Sequence, residues 1–181
     1  DAYLPGQALP EEEALAFHLP QAQSLAGAGA DFLYAATLPE IGEASGLARA
    51  MAQSGLDYLL GFVVDPRGRL LDGTPLPEAV EKVNRATPRP PAACLVSCVH
   101  PENLAAGLAR QGPGHGVRGL VGNASRLSPE ELDSLPETDR GDPEEFARAM
   151  SRLRTEHGLQ ILGGCCGTDG RHLAALARAL A

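Results

Sequence analysis

The sequence predicts an α/β fold built on a parallel sheet, and three observations carry that prediction. Five short apolar runs recur along the chain, at 31–37, 57–64, 93–99, 118–124 and 159–165. Several are apolar almost throughout, which suits strands buried on both faces better than the alternation of a half-wet antiparallel sheet. Segments with apolar residues at helical spacing separate them, giving a βαβαβ order. The punctuation agrees: Asp142-Pro143 supplies an N-cap and an N1 proline, and Gly55 and Gly158 stand where C-cap glycines belong.

Taken in order, the first helical pattern runs from Pro10 to Ala28, with Glu11 to Glu13 as a solvated start. Pro20 lies inside it and predicts a kink or two short helices, because proline removes a helix hydrogen bond and its ring crowds the preceding turn. After the run at 31–37, residues Ile41, Ala44, Leu47, Ala48 and Met51 mark one face of a second helix. A third spans Pro77 to Ala86, and Leu104, Ala105 and Leu108 mark the fourth. The segment from Ser125 to Gly141 is a long acidic loop following a strand, the place where α/β proteins often put function. Pro143 to His157 and the stretch holding Leu173, Leu176 and Leu180 complete the helices. There is no repeat, low-complexity tract or linker, so residues 1–181 read as one domain. Five strands fit a doubly wound sheet, or a (β/α)8 barrel with three further strands before Asp1; composition does not choose.

Composition does bound the function. A chain of 181 residues with 44% hydrophobic content can bury a core. Its net charge of -8 and pI of about 5.1 argue against a nucleic-acid partner. No apolar run reaches the ~20 residues that a bilayer requires, and no signal peptide opens the chain. Four cysteines are sparse for a disulfide framework. Neighbouring Cα atoms stand ~3.8 Å apart, short of the ~4.4 Å at which ordinary disulfides begin, so Cys165 and Cys166 bridge each other poorly. Reduced thiols in the cytoplasm are expected. The one lysine, Lys82, falls in a helix, so no strand-end lysine is available for a Schiff base.

The cysteines carry the chemistry. Cys98 ends one strand run and Cys165-Cys166 end another, at the sheet edge where α/β proteins place their sites. Two neighbouring residues reach one ion only where the pleat stops, and Gly163-Gly164 give the backbone freedom there. Three thiolates select zinc and leave its fourth position open. Such a site carries net charge −1, which is poor for generating hydroxide but suited to holding a substrate thiol as its thiolate. Cys94, four residues before Cys98, is expected in the core. His100 follows the metal edge, either as a residue behind the ligands or, the preferred reading, as part of the loop, and His18, His115, His157 and His172 are assigned to surface or cap positions. Asn123 ends its strand on the same edge, as pocket lining or as a turn residue. A second use of Gly163-Gly164 is an anion site at a helix N-terminus.

The segments GGCCGT near the end, VSC followed by HPENL, LLDGTPL after a strand, DAYLPG and LAGAGADFLYAATLPEIGEA occur together and in order. In these the chain resembles the zinc-dependent homocysteine S-methyltransferases. The resemblance implies a (β/α)8 barrel of which residues 1–181 supply the C-terminal portion, about the last five strands and their helices. It implies Zn2+ held by Cys98, Cys165 and Cys166, with the zinc holding the homocysteine sulfur. Thr37, Ser97 and Asn123 become the candidate substrate-binding residues. The implied reaction moves a methyl group from a sulfonium donor, such as S-methylmethionine or S-adenosylmethionine, to homocysteine, forming methionine. The partners are then these small molecules, without nucleic acid or membrane. Five strands cannot close an eight-strand cylinder, so the chain alone is expected to self-associate through open barrel edges. The chain departs from the family at Ala36, where a glutamate is usual, and at Ser97, where an asparagine is. Alternatives are a zinc-thiolate relative with another thiol acceptor or no catalytic activity, and a phosphate-ligand α/β barrel enzyme.

Overall fold

The structure is a computed structural model that describes all of residues 1–181 except 1, 2, 4, 5, 113, 129, 130 and 133. Parts of DAYLPG and of the acidic loop therefore lie outside the described residues. Five strands form one parallel sheet in sequential order: β1 (Phe32–Leu38), β2 (Asp57–Phe62), β3 (Ala93–Val99), β4 (Gly119–Gly122) and β5 (Ile161–Gly164). The helices alternate with them: α1 (Glu11–Gly27), α2 (Ile41–Gln53), α3 (Leu76–Arg85), α4 (Pro101–Gln111), α5 (Pro143–His157) and α6 (Gly170–Leu180).

The helices cover one face of the sheet. Leu33, Tyr58, Leu60, Phe62, Cys94, Val96 and Leu120 point into that layer and form one core with side chains such as Ala48, Val83, Leu104 and Phe146. Intervening residues face the other way. There Phe32 is 58% exposed, Tyr34 39% and Ile161 38%. An uncovered apolar sheet face of this kind is what a barrel interior looks like when only part of its strands are present. The near-continuous apolar runs follow from the same fact, because each strand is apolar toward the helices and largely apolar toward the interior.

Pro20 does not divide the first helix. α1 is continuous over 17 residues with Pro20 inside it. Pro20 is exposed, so its ring displaces no packed neighbour. The N-terminal turns are pinned to α2, where a Cβ on Gly46 would stand 2.2 Å from the Glu11 carbonyl oxygen and 2.7 Å from the Ala14 Cβ. Arg49 of α2 pairs with Glu11 and Glu12. Tertiary packing thus overrides the local propensity of one residue.

Other caps follow the sequence. Asp142 accepts a hydrogen bond from the Glu145 N–H at 2.8 Å, and Gly158 ends α5 in the left-handed conformation at φ 72°. The LLDGTPL segment folds back between β2 and α3, where Asp72 accepts from the Ile41 N–H at 2.8 Å and caps α2 from outside its own helix. His172, assigned above to a surface or cap position, is a cap but not at the surface. It is fully buried, completes a capping box with Asp169 at the start of α6, and its Nε2 lies 2.8 Å from the Arg140 carbonyl oxygen. That contact ties the acidic loop to α6.

Candidate metal centre

Two breaks in the strands build the site. β1 and β3 each lose register near their C-terminal ends, between Ala35 and Leu38 and between Ser97 and Val99. At each break one residue adopts a positive φ, Thr37 at 58° and Cys98 at 56°. Non-glycine residues rarely do so, and they cluster at functional sites. On β5 the pleat stops at Gly164; the Cys165 N–H still bonds the Gly122 carbonyl at 2.7 Å, and Cys166 returns its carbonyl to the Ala124 N–H at 3.0 Å.

Cys98, Cys165 and Cys166 meet at this edge. Cys98 Sγ lies 2.8 Å from Cys165 Sγ and 3.8 Å from Cys166 Sγ, and the latter two are 3.9 Å apart. All four cysteines are free thiols. Tetrahedral zinc with Zn–S of ~2.3 Å sets neighbouring sulfurs roughly 3.8 Å apart. Two edges of the triangle match that spacing and the third would open by about 1 Å. Among the described residues this is the one cluster of at least three His, Cys, Asp or Glu side chains with ligand atoms close enough to share an ion. Donor set and spacing therefore fit a metal selected by soft sulfur ligands.

Protonation is divided unequally. The Cys98 thiol is pushed up, first by its hydrogen bond to Cys165 and then by burial, while the same bond draws Cys165 below the usual thiol value. Burial raises Cys166. Either sulfur of the pair can donate in the 2.8 Å contact between them. The Tyr3 hydroxyl also hydrogen-bonds Cys98, and burial together with that contact raises the phenol. Sequence reasoning did not single out Tyr3. Its one available signal was its place in DAYLPG, which resembles the family.

The remaining candidates fall at the same edge. Thr37 is half-buried at the end of β1. Ser97 is 1% exposed and shares a 2.7 Å hydrogen bond with Tyr34. Asn123 is buried; its Nδ2 donates to the Cys98 carbonyl at 3.0 Å, and its Oδ1 has no hydrogen-bond partner among the described residues. Ala36 is exposed on the open sheet face. With Tyr34 and Thr37 it lines a cleft of about 480 Å3 between β1 and the helices α1 and α2, to which none of the cysteines contributes. Cys94 sits in the helix-side core, and burial pushes its thiol up to about 12.

His100 is more than loop: it is the N-cap of α4, with Nδ1 accepting from the Glu102 N–H at 3.2 Å. Burial pushes its imidazole down to about 4, with Arg126 adding to the shift against the carboxylates of Glu102 and Asp139. The unfolded chain binds this proton near pH 6.5 and the folded chain only near 4, so the contribution to stability is complete above 6.5 and lost as pH falls through that window. Asp139 and Asp169 are held below the usual carboxylate range and act at lower pH. Denaturant midpoints at pH 7.5 and 5 should therefore differ less in His100→Asn, which keeps a capping side chain, than in the parent; an equal difference would refute the assignment.

The family model of the homocysteine S-methyltransferases matches residues 1–180. The chain belongs to this family. It is 31% identical over 165 residues to the Escherichia coli K12 homocysteine S-methyltransferase, covering 89% of this chain and 51% of that relative. It is 27% identical over 193 residues to homocysteine S-methyltransferase YbgG of Bacillus subtilis 168, covering 98% and 56%. Among solved structures, the oxidised form of the homocysteine methyltransferase MmuM from Escherichia coli superposes with a TM-score of 0.72 at 27% identity, covering 98% of this chain and 55% of MmuM. The metallated form gives 0.70 at 25% identity, with the same coverage. The chain thus spans about half the length of these relatives, and its sheet corresponds to the C-terminal portion of their (β/α)8 barrel.

Proposed function

We propose that this chain carries the thiol-capturing half of a zinc-dependent homocysteine S-methyltransferase. The observation that supports it most is the cluster of three cysteine sulfurs at the C-terminal edge of a parallel sheet. Cys98, Cys165 and Cys166 would hold Zn2+. When bound, zinc supplies a site that stabilises an acceptor thiol as its thiolate at neutral pH. Thr37, partly exposed, would meet the acceptor, while Ser97 and Asn123 shape the pocket from behind. The thiol of homocysteine gives its proton to solvent; the thiolate attacks the methyl carbon of a sulfonium, whose C–S electron pair returns to the donor sulfur. The products are methionine and a neutral thioether. Packing of a second copy against the open strand edges belongs to the same reading, as does a place in the cytoplasm.

A thiol acceptor other than homocysteine is favoured by one observation, the alanine at position 36. The phosphate reading has less support, because the N-terminus of α6 already carries the Asp169 carboxylate, which accepts from the Arg171 N–H at 2.9 Å. The test has two stages. Cobalt-loaded protein should show sulfur-to-cobalt charge-transfer bands that shift on adding homocysteine, and methionine should accumulate with S-methylmethionine or S-adenosylmethionine in an eight-strand barrel that contains this chain. Methionine formation unaffected by metal removal would overturn the zinc reading.

A further inference from the structure

Cys98 holds its sulfur at the edge through a backbone conformation that opposes it. Its φ of 56° ends the alternation of β3, in which Val96 faces the helices and Ser97 the interior. A left-handed non-glycine residue persists only where its surroundings fix it. Contacts from β1 and from the end of β4 do so here. From β4, Asn123 Nδ2 donates to the Cys98 carbonyl at 3.0 Å, while the Asn123 N–H donates to the Val99 carbonyl at 3.1 Å. From β1, two strands away, Tyr34 Oη reaches Ser97 Oγ at 2.7 Å.

The second contact crosses β2 at Gly61. A Cβ there would stand 2.0 Å from Ser97 Oγ and 2.8 Å from Tyr34 Oη, so glycine leaves the room that the bridge occupies. Tyr34 is partly exposed and could satisfy its hydroxyl with water; Ser97, almost wholly buried, depends on this partner. The bridge thus spans β1, β2 and β3 and anchors the residue immediately before Cys98.

We propose that Tyr34 and Asn123 are positioning residues, which clamp the Ser97-Cys98 turn from opposite sides and keep Cys98 Sγ on the Cys165-Cys166 pair. The proposal rests on the reading of the three cysteines as a metal centre. Neither residue is one of the three cysteines that would hold the metal. Each acts by limiting the positions that Cys98 can take before an ion arrives, which is how partners behind a ligand raise metal affinity.

The test compares cobalt(II) affinity, by competition with a chromophoric chelator, with the melting temperature of the metal-free protein. Tyr34→Phe and Asn123→Leu should each weaken binding by roughly 10- to 100-fold, the range found for loss of a partner behind a ligand. Ser97→Ala should weaken it as Tyr34→Phe does, and the double variant should add nothing, because the two hydroxyls form one unit. Gly61→Ala should weaken binding with both hydroxyls present. If it does not fold, Gly61→Ala with Ser97→Ala removes the closer clash, at 2.0 Å, and frees the partly exposed Tyr34 to move off the other, at 2.8 Å, so it should bind like Ser97→Ala. Unchanged cobalt affinity in Tyr34→Phe and Asn123→Leu, with or without a lower melting temperature, would reduce these contacts to ordinary packing and overturn the proposal. Absence of cobalt-thiolate bands in the parent would overturn the metal reading, and this inference with it.

Discussion

Cys98→Ala is expected to lower zinc from about one ion per chain to near none. Three cysteine sulfurs at one edge form the cluster, and no other His, Cys, Asp or Glu among the described residues stands close enough to replace a lost member. Removing one leaves two ligands, one of which, Cys166, is exposed. Structural zinc sites take four protein ligands and catalytic sites three, so a two-thiolate remnant falls below either class. Cys166→Ala should behave in the same way. Cys94→Ala is the control: its thiol lies in the helix-side core and stays protonated at neutral pH, so the variant should keep its zinc and lose only roughly 1 kcal/mol of stability. Elemental analysis of the purified variants reads both. Zinc retained at the parent level in Cys98→Ala would refute the three-cysteine centre.

Ala36→Glu is expected to strengthen homocysteine binding by about tenfold while leaving 4-mercaptobutyrate, which lacks the amino group, little changed or weaker. Residue 36 ends the exposed side of β1, two residues from Tyr34 and next to Thr37, so a carboxylate there would face the interior beside the metal edge. A charge-assisted hydrogen bond to an ammonium contributes ~1.5–3 kcal/mol in a desolvated site, or roughly 10- to 150-fold in affinity. Because Ala36 is exposed, screening by solvent places the expectation at the lower end. The cysteines are untouched by the change, so capture of the thiol itself persists. Titration of both thiols into cobalt-loaded protein gives the ratio directly. Equal effects on the two would show that position 36 does not read the amino group, and a homocysteine acceptor would then need no reservation on account of Ala36.

The part of the site that was legible in the sequence is the part encoded by residue type next to a strand end. Cys98 and Cys165-Cys166 could be paired from spacing because a parallel sheet puts all its C-terminal strand ends at one edge. Asp142, Pro143 and Gly158 were legible because caps act within three or four residues. That α1 runs unbroken past Pro20 was not legible for the converse reason: its N-terminal turns are held by Gly46 and Arg49 of another helix, which no local window contains. His172 carried no mark of burial, since its partner is the carbonyl of Arg140, 32 positions away.

By itself, then, the sequence determined the alternation of strand and helix, the parallel sheet, the core position of Cys94 and the three sulfurs available to a metal. These follow from periodicity, from cap chemistry and from the rule that parallel strands end together. Only the tertiary structure decided how those sulfurs are held. Tyr3, Tyr34, Gly61 and Asn123 come from four separate stretches of chain, and each acts through a distance that exists only after the sheet has formed. The left-handed turn at Cys98 is the clearest case: its conformation is unfavourable for the residue taken alone, and contacts from two other strands fix it.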